Sequence, residues 1–212
     1  MPIRLTLRTK KDVSPFREML HWLITSIHGG TVVLCSGYIW EPCGANSGCT
    51  NYSVLQDGLL SSLISGNPDK VITVAGKFSQ TQWRYYYHNF VNALSRHFQT
   101  TAFIAPRRNW HAKIAIRLDG KGKPIAALVG SSNLTGPAYG IKRRNWNFEG
   151  DVLIWAPRSD LNQTFGRPFE NGDLPFGDFH LILNHDKQQP SEEEQLQMLY
   201  RDVIESGIEP FA

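Results

Sequence analysis

The chain has 212 residues, 41% hydrophobic, 11% aromatic and 19% charged, with a formal net charge of +3 at pH 7. That length supports one sizeable α/β domain and too little core for two ordinary ones, and the composition excludes fibrous and disordered classes. No apolar run approaches the ~20 residues of a membrane helix, and Met1 to Val13 lacks the apolar stretch of a signal peptide, so a cytoplasmic protein without a membrane partner is expected.

In chain order, the first expected element is a helix over Asp12 to Ile27. Its apolar positions Phe16, Leu20, Leu23, Ile24 and Ile27 fall at helical spacing. Ser14 is placed to cap it, Pro15 sits just inside, and Gly29-Gly30 ends it. Thr31 to Ile39 is a β-branched run and reads as a buried strand. Asn51 to Ser65 carries Leu55, Leu59, Leu60 and Leu63 and reads as a helix. A short strand over Lys70 to Ala75, a long aromatic-rich helix over Gln80 to Phe98 and a strand over Thr101 to Ala105 follow.

His111 to Leu118 alternates, with His111, Lys113, Ala115 and Arg117 on one side and Ala112, Ile114, Ile116 and Leu118 on the other. Asp119-Gly-Lys-Gly-Lys-Pro has strong turn chemistry, and Ile125 to Val129 is the return strand. Gly130-Ser-Ser-Asn-Leu-Thr-Gly is a tight loop, Phe148 to Trp155 another strand, and Phe165 to Phe179 an irregular stretch. Ser191 to Glu205 is a helix with a capping box formed by Ser191 and Glu194. The alternation implies an α/β fold, a mixed sheet flanked by helices on both faces, in a single domain over residues 1–212.

Cys35, Cys43 and Cys49 are odd in number, which argues against a disulfide framework. Cys43 and Cys49 lie in a Gly/Asn/Ser-rich loop with too few ligands for zinc, so neither metal nor cofactor is expected.

The residues that carry chemistry cluster around the hairpin. His111 and Lys113, two apart on a strand, project from one face. The return strand delivers Gly130, Ser131, Ser132 and Asn133 beside its start, and Glu149 opens the next strand. A phosphodiester suits this set. His111 can attack phosphorus or protonate a leaving oxygen, Lys113 supplies a compact positive charge, and Ser131 and Asn133 offer neutral donors to the nonbridging oxygens. A carboxylate on the second imidazole nitrogen would fix its tautomer. The protein supplies the charge itself, without a metal.

His111-Ala-Lys113 followed by a hairpin and Gly130-Ser131-Ser-Asn133 resembles the HKD motif of the phospholipase D superfamily. Asn145-Trp-Asn-Phe-Glu149 is similar to the segment that supplies a carboxylate there. The resemblance spans Trp110 to about Trp155. It implies a phospholipase D-like α/β/α sandwich and a catalytic set of His111, Lys113, Ser131, Asn133 and Glu149, working through a phosphohistidine. One element departs from the pattern: the family's Asp falls where this chain has Leu118. Asp119, one position late, reads as a turn residue. Relatives that lack this Asp include tyrosyl-DNA phosphodiesterases and a restriction-endonuclease subgroup, which tilts the expectation toward nucleic acid.

The family's chemistry uses two such motifs around one phosphate. A second HxK, His185-Asp-Lys187, has no return strand and no GSxN behind it. The resemblance therefore implies a homodimer with the active site on its two-fold axis. The expected activity is that of a metal-independent DNA or RNA endonuclease. Arg107, Arg108, Lys142, Arg143 and Arg144 would neutralise phosphates, Ser132 and Asn145 would bind substrate, and Trp110 and Trp146 would stack on unpaired bases. The alternatives are a lipid phosphodiesterase, which calls for an apolar entrance, and a catalytically silent binding module.

Overall fold

In a computed structural model, residues 2–42, 51–76, 82–105, 110–141, 143–166, 179–182 and 191–211 are described. The strands among them are β1 (Pro2–Arg8), β2 (Thr31–Ser36), β3 (Lys70–Ala75), β4 (Gln99–Ile104), β5 (Lys113–Leu118), β6 (Pro124–Gly130), β7 (Glu149–Trp155), β8 (Phe179–Ile182) and β9 (Glu209–Pro210). The helices are α1 (Pro15–Thr25), α2 (Leu60–Gly66), α3 (Trp83–Ser95), α4 (Gly136–Tyr139), α5 (Ser159–Phe165) and α6 (Glu192–Ile204). The strands form one sheet in the order β8-β1-β7-β6-β5-β2-β3-β4-β9.

Among the described strands only the β2–β3 and β3–β4 pairs are parallel, and these strands are joined through helices. The β-branched runs of β2 and β3 are buried on both faces, as interior parallel strands require. β5 and β6 form the expected hairpin, and β7 and β1 extend it antiparallel. The sheet is thus mixed, and both faces are covered. α1 lies on the face that carries Leu128, its partner Leu153 and Arg4 opposite Leu153, with the Arg4 guanidinium 5.1 Å from the Trp22 ring. α6 lies on the opposite face, where Leu196 and Leu199 meet Val129, Val152 and Ile154.

α1 forms where its sequence signals stand. Ser14 Oγ accepts a hydrogen bond from Arg17 N at 3.3 Å, and Pro15 opens the helix. Phe16, Met19, Leu20, Trp22, Leu23 and Ile24 are buried on one stripe. Each such side chain stabilises by about 1.5–3 kcal/mol relative to exposure. α6 shows its capping box, Glu194 N donating to Ser191 Oγ at 3.3 Å and Ser191 N to Glu194 Oε2 at 2.6 Å.

Two expectations need correction. The helix expected over Asn51 to Ser65 is broken: Leu55–Leu59 forms a distorted turn, and α2 begins only at Leu60. Gly58 causes the break, with φ 116, and the Arg17 guanidinium 3.0 Å from where a Cβ would stand. The sequence also assigned no element before Asp12, yet β1 is an interior strand of the sheet. Its pattern is inverted. Arg4, Thr6 and Arg8 point inward and are buried, while Leu5 and Leu7 are exposed. Arg8 is tolerated because its guanidinium donates to the carbonyls of Pro137 (2.8 Å), Ala138 (2.6 Å) and Gly140 (2.9 Å), capping α4 from below. α5, β8 and β9 were likewise not anticipated, β8 at the end of the stretch read as irregular.

Candidate active site

The register places Asp151, Gly130, Lys113, Ser36 and Ala75 in one row across five adjacent strands. This row lies at the C-terminal ends of parallel strands β2 and β3, where open α/β sheets leave room for a ligand. Alternation on β5 puts Lys113 on the same side as Ala115 and Arg117, as its sequence pattern requires. Arg117, however, is fully buried and donates to Ile27 O at 2.7 Å and Gly29 O at 2.5 Å, so it holds the end of α1 and faces no solvent.

His111 stands two residues before β5 and is exposed. Its backbone is laid across two glycines. A Cβ on Gly76 would come within 2.7 Å of Gly37 O and 2.8 Å of Trp110 O. A Cβ on Gly37 would meet His111 Cα at 3.3 Å and Asn133 Oδ1 at 3.6 Å. Gly37 is therefore the common neighbour of His111 and Asn133, and its missing side chain lets the two segments approach closely.

Lys113 Nζ lies 2.7 Å from His111 O and 3.4 Å from His111 Nδ1. Burial lowers the pKa of Lys113, and the Glu149 carboxylate partly offsets this. With Nδ1 facing the ammonium, His111 Nε2 has no partner among the described residues.

The Gly130–Asn133 loop is fixed at each polar residue. Ser131 Oγ donates to Glu149 Oε2, which Asn147 Nδ2 supports from the other carboxylate oxygen at 3.0 Å. Ser132 donates twice to Asp151, through its amide at 3.2 Å and its hydroxyl at 2.7 Å. Asn133 Oδ1 accepts from Tyr38 N and Ser36 Oγ, both at 3.2 Å. Its carbonyl is thereby committed and its NH₂ is left to donate to a ligand. Asp151 is buried, which pushes its pKa up to about 6 despite the Ser132 hydrogen bonds. A carboxylate was expected on the second nitrogen of His111. Within one chain Glu149 instead engages Ser131 and Asn147, and no described carboxylate contacts the imidazole.

Beside this row opens a cavity of about 560 Å³. Asn133 and Thr135 line it on the site's side, Tyr38, Trp40 and Tyr52 form aromatic walls, and Arg143, Arg144 and Asn145 complete it. The Arg143 guanidinium stacks 3.8 Å from the centre of the Tyr52 ring.

The other sequence candidates are scattered. Trp110 is half-buried and packs against the core. Trp146 is half-buried between the Arg8 guanidinium, 5.9 Å away, and Phe148, 4.9 Å away. Asp119 sits at the far end of the hairpin, its Oδ1 accepting from Lys121 N and Lys123 N at 2.9 Å each, so it is a turn residue. Arg107, Arg108, Lys142, Cys43, Cys49, His185 and Lys187 lie outside the described residues. Cys35 is buried in the core with a free thiol whose pKa is raised by desolvation.

Neither a family model nor a curated relative matches the sequence. Solved structures do. The chain is similar to the phosphatidylserine synthase of Haemophilus influenzae Rd KW20, with a TM-score of 0.52 and 14% identity over 96% of this chain and 46% of that one. The chain has the phospholipase D-like fold. NucT from Helicobacter pylori matches with a TM-score of 0.41 and 14% identity, over 77% of this chain and 92% of that one. Yeast tyrosyl-DNA phosphodiesterase matches at 0.39 and 14%, over 72% and 31%. This chain thus spans about half of the synthase, about a third of the tyrosyl-DNA phosphodiesterase and nearly all of NucT.

The phospholipase D-like fold accounts for the resemblance read around the hairpin, and it adds residues that the sequence did not single out. Gly37, Tyr38 and Trp40 follow β2; the first two fall inside the expected strand over Thr31 to Ile39 and Trp40 just past its end. Tyr38 and Trp40 at period two, just past the strand's apolar run, were the available signal. Asp151 was visible as a second acid two residues after Glu149, on the same side of β7. Tyr52 and Arg8 carried no local signal, since long-range packing alone brings them to the site. No helix among the described residues is long and apolar enough to cross a membrane, and none of their His, Cys, Asp and Glu form a group of three placed to hold a metal ion.

Proposed function

We propose that the chain is a metal-independent phosphodiesterase that cleaves nucleic acid, with His111 as its nucleophile or leaving-group acid. The observation that carries this is the meeting of His111, Lys113 and Asn133 around Gly37. There an imidazole whose Nε2 has no partner among the described residues, a half-buried ammonium and an asparagine whose carbonyl is already engaged gather at the C-terminal edge of a parallel strand pair. One nitrogen for phosphorus and two kinds of donor for its nonbridging oxygens are what in-line displacement at a phosphodiester needs.

In the proposed reaction His111 Nε2 forms a bond to phosphorus as the bond to the leaving oxygen breaks. That oxygen takes a proton from the imidazolium of a second copy of this chain. Water then attacks phosphorus, the same second imidazole accepts its proton, and the P–N bond breaks, restoring His111. Lys113 and the Asn133 NH₂ stabilise the charge on the nonbridging oxygens. The Ser131 hydroxyl, engaged with Glu149, positions the loop. One chain supplies one such imidazole among the described residues, which is why two copies meeting at this edge are part of the proposal.

The test is cleavage of plasmid, single-stranded DNA and RNA in EDTA by the full chain and by His111→Ala. EDTA-resistant cleavage that disappears in the variant is expected, together with a dimer in size-exclusion chromatography. Headgroup release from phosphatidylcholine with intact nucleic acid would overturn the nucleic-acid assignment, and a fully active monomer would overturn the dimer.

A further inference from the structure

The cavity beside Asn133 is not needed for phosphoryl transfer, yet it is built. Trp40 is backed by Tyr86, with ring centroids 4.3 Å apart, and Tyr86 is itself fixed by its hydroxyl's bond to Gln82 at 2.7 Å. Tyr38 stands 6.1 Å from Trp40 and meets Tyr86 edge-on at 6.5 Å. The opposite wall is equally fixed. Tyr52 donates its hydroxyl to Asp57 at 3.1 Å, and Asp57 pairs with Arg17 at 3.3 Å. The Trp40 face, held from behind, loses little freedom when a planar ligand stacks on it, and the Arg143 guanidinium stacked on Tyr52 presents a second flat surface. The volume, about 560 Å³, lies in the usual range for small-molecule sites.

Charge narrows the choice of ligand. Arg143 and Arg144 line the cavity, and among the described residues no Asp or Glu does. A quaternary ammonium headgroup would suit the aromatic walls but would be repelled by the two guanidinium groups. A nucleobase offers a π-face to the rings and ring and carbonyl acceptors to Arg143 and Asn145, while Arg144 suits its phosphate. Asn133 both lines the cavity and stands beside Gly37 with His111, so a base in the cavity and a phosphate at His111 can belong to one nucleotide.

We propose that this cavity is a subsite for one unstacked nucleobase, so that the substrate is a single strand or a locally opened one. The proposal rests on the nucleic-acid reading above and specifies its substrate. A paired base cannot enter such a cavity without leaving its stack, which costs a duplex several times more than a free strand.

The experiment uses the full chain carrying His111→Ala, so that binding is read without cleavage. A fluorescein-labelled single-stranded oligonucleotide is compared with one of the same length and charge whose every residue is abasic, and with a duplex. The normal single strand should bind about tenfold or more tightly than either. Adding Trp40→Ala should close most of the gap to the abasic strand, while Trp40→Phe should retain it and thermal melting confirms that both variants fold. Arg144→Gln should weaken normal and abasic strands alike, as a phosphate contact does. Equal binding of normal and abasic strands, or a gap indifferent to Trp40→Ala, overturns the subsite. So does stronger competition by phosphocholine than by a mononucleotide. The two proposals fail separately. A base-dependent gap without any nucleic-acid cleavage by the parent chain counts against the nuclease, whereas base-indifferent cleavage counts against the subsite alone.

Discussion

The two ends of the β5–β6 hairpin carry similar groups and put them to different uses. At the turn end, Asp119 is saturated by two backbone amides, and Lys123 reaches across to Glu193 at 2.5 Å in an exposed pair. At the mouth, and among the described residues, Lys113 is half-buried with no carboxylate in contact, His111 Nε2 has no partner, and Glu149 and Asp151 hold serines. An acid and a lysine satisfied by their neighbours make structure. At the strand end Lys113 is held by the His111 carbonyl and by no described carboxylate, so ammonium protons remain for a ligand, and that makes a site.

The sharpest way to break that comparison is His111→Ala. Turnover should fall by at least about a thousandfold, since the reacting nitrogen itself is removed. The urea midpoint should move by no more than the roughly 0.5 kcal/mol typical of an exposed position. A loss of stability matching the loss of activity would make His111 structural after all. Lys113→Ala should cost on the order of a hundred- to a thousandfold in kcat, the range for losing one preorganised charge contact, with KM changed less.

Asp151 tests the supporting layer. Its folded pKa, about 6, lies above its ordinary value of 3.8, so the folded state binds the proton more tightly than the unfolded chain does. Stability from this group is therefore full below about pH 4 and declines as pH rises through 6. At pH 7.5 the ionised carboxylate costs about 3 kcal/mol by this linkage. Asp151→Asn should flatten the difference in urea midpoint between pH 4 and pH 7.5. An unchanged slope would mean that Ser132 compensates the charge fully. At the other end of the hairpin, Asp119→Ala should cost only about 1 kcal/mol, from two amides returned to water, and leave turnover within about twofold. If Asp119→Ala is as inactive as His111→Ala, the contrast between the two ends collapses.

Much of this was legible along the chain. The hairpin, its turn, the two parallel β-branched strands, the capped helices α1 and α6 and the convergence of residues 111, 113 and 131–133 all follow from local pattern. Period, turn chemistry and capping depend on near neighbours. β1 was not legible, because its inward residues are Arg4, Thr6 and Arg8, and the distant carbonyls of Pro137, Ala138 and Gly140, with those of Lys10 and Lys11, make a buried Arg8 tolerable. Nor was the break at Gly58, whose open side is filled by Arg17 of α1.

The sequence by itself determined the hairpin motif and therefore the chemistry that its side chains can offer, since alternation on a strand fixes which of them share a face. The tertiary structure alone decided which partners they have. It gave Glu149 to Ser131 and left the His111 imidazole without a carboxylate among the described residues, set Gly37 against the His111 backbone, and brought Tyr38, Trp40 and Tyr52 beside Asn133. Those relations join residues far apart in the chain, and no local propensity encodes them. They arise when the whole sheet closes its register and buries its faces.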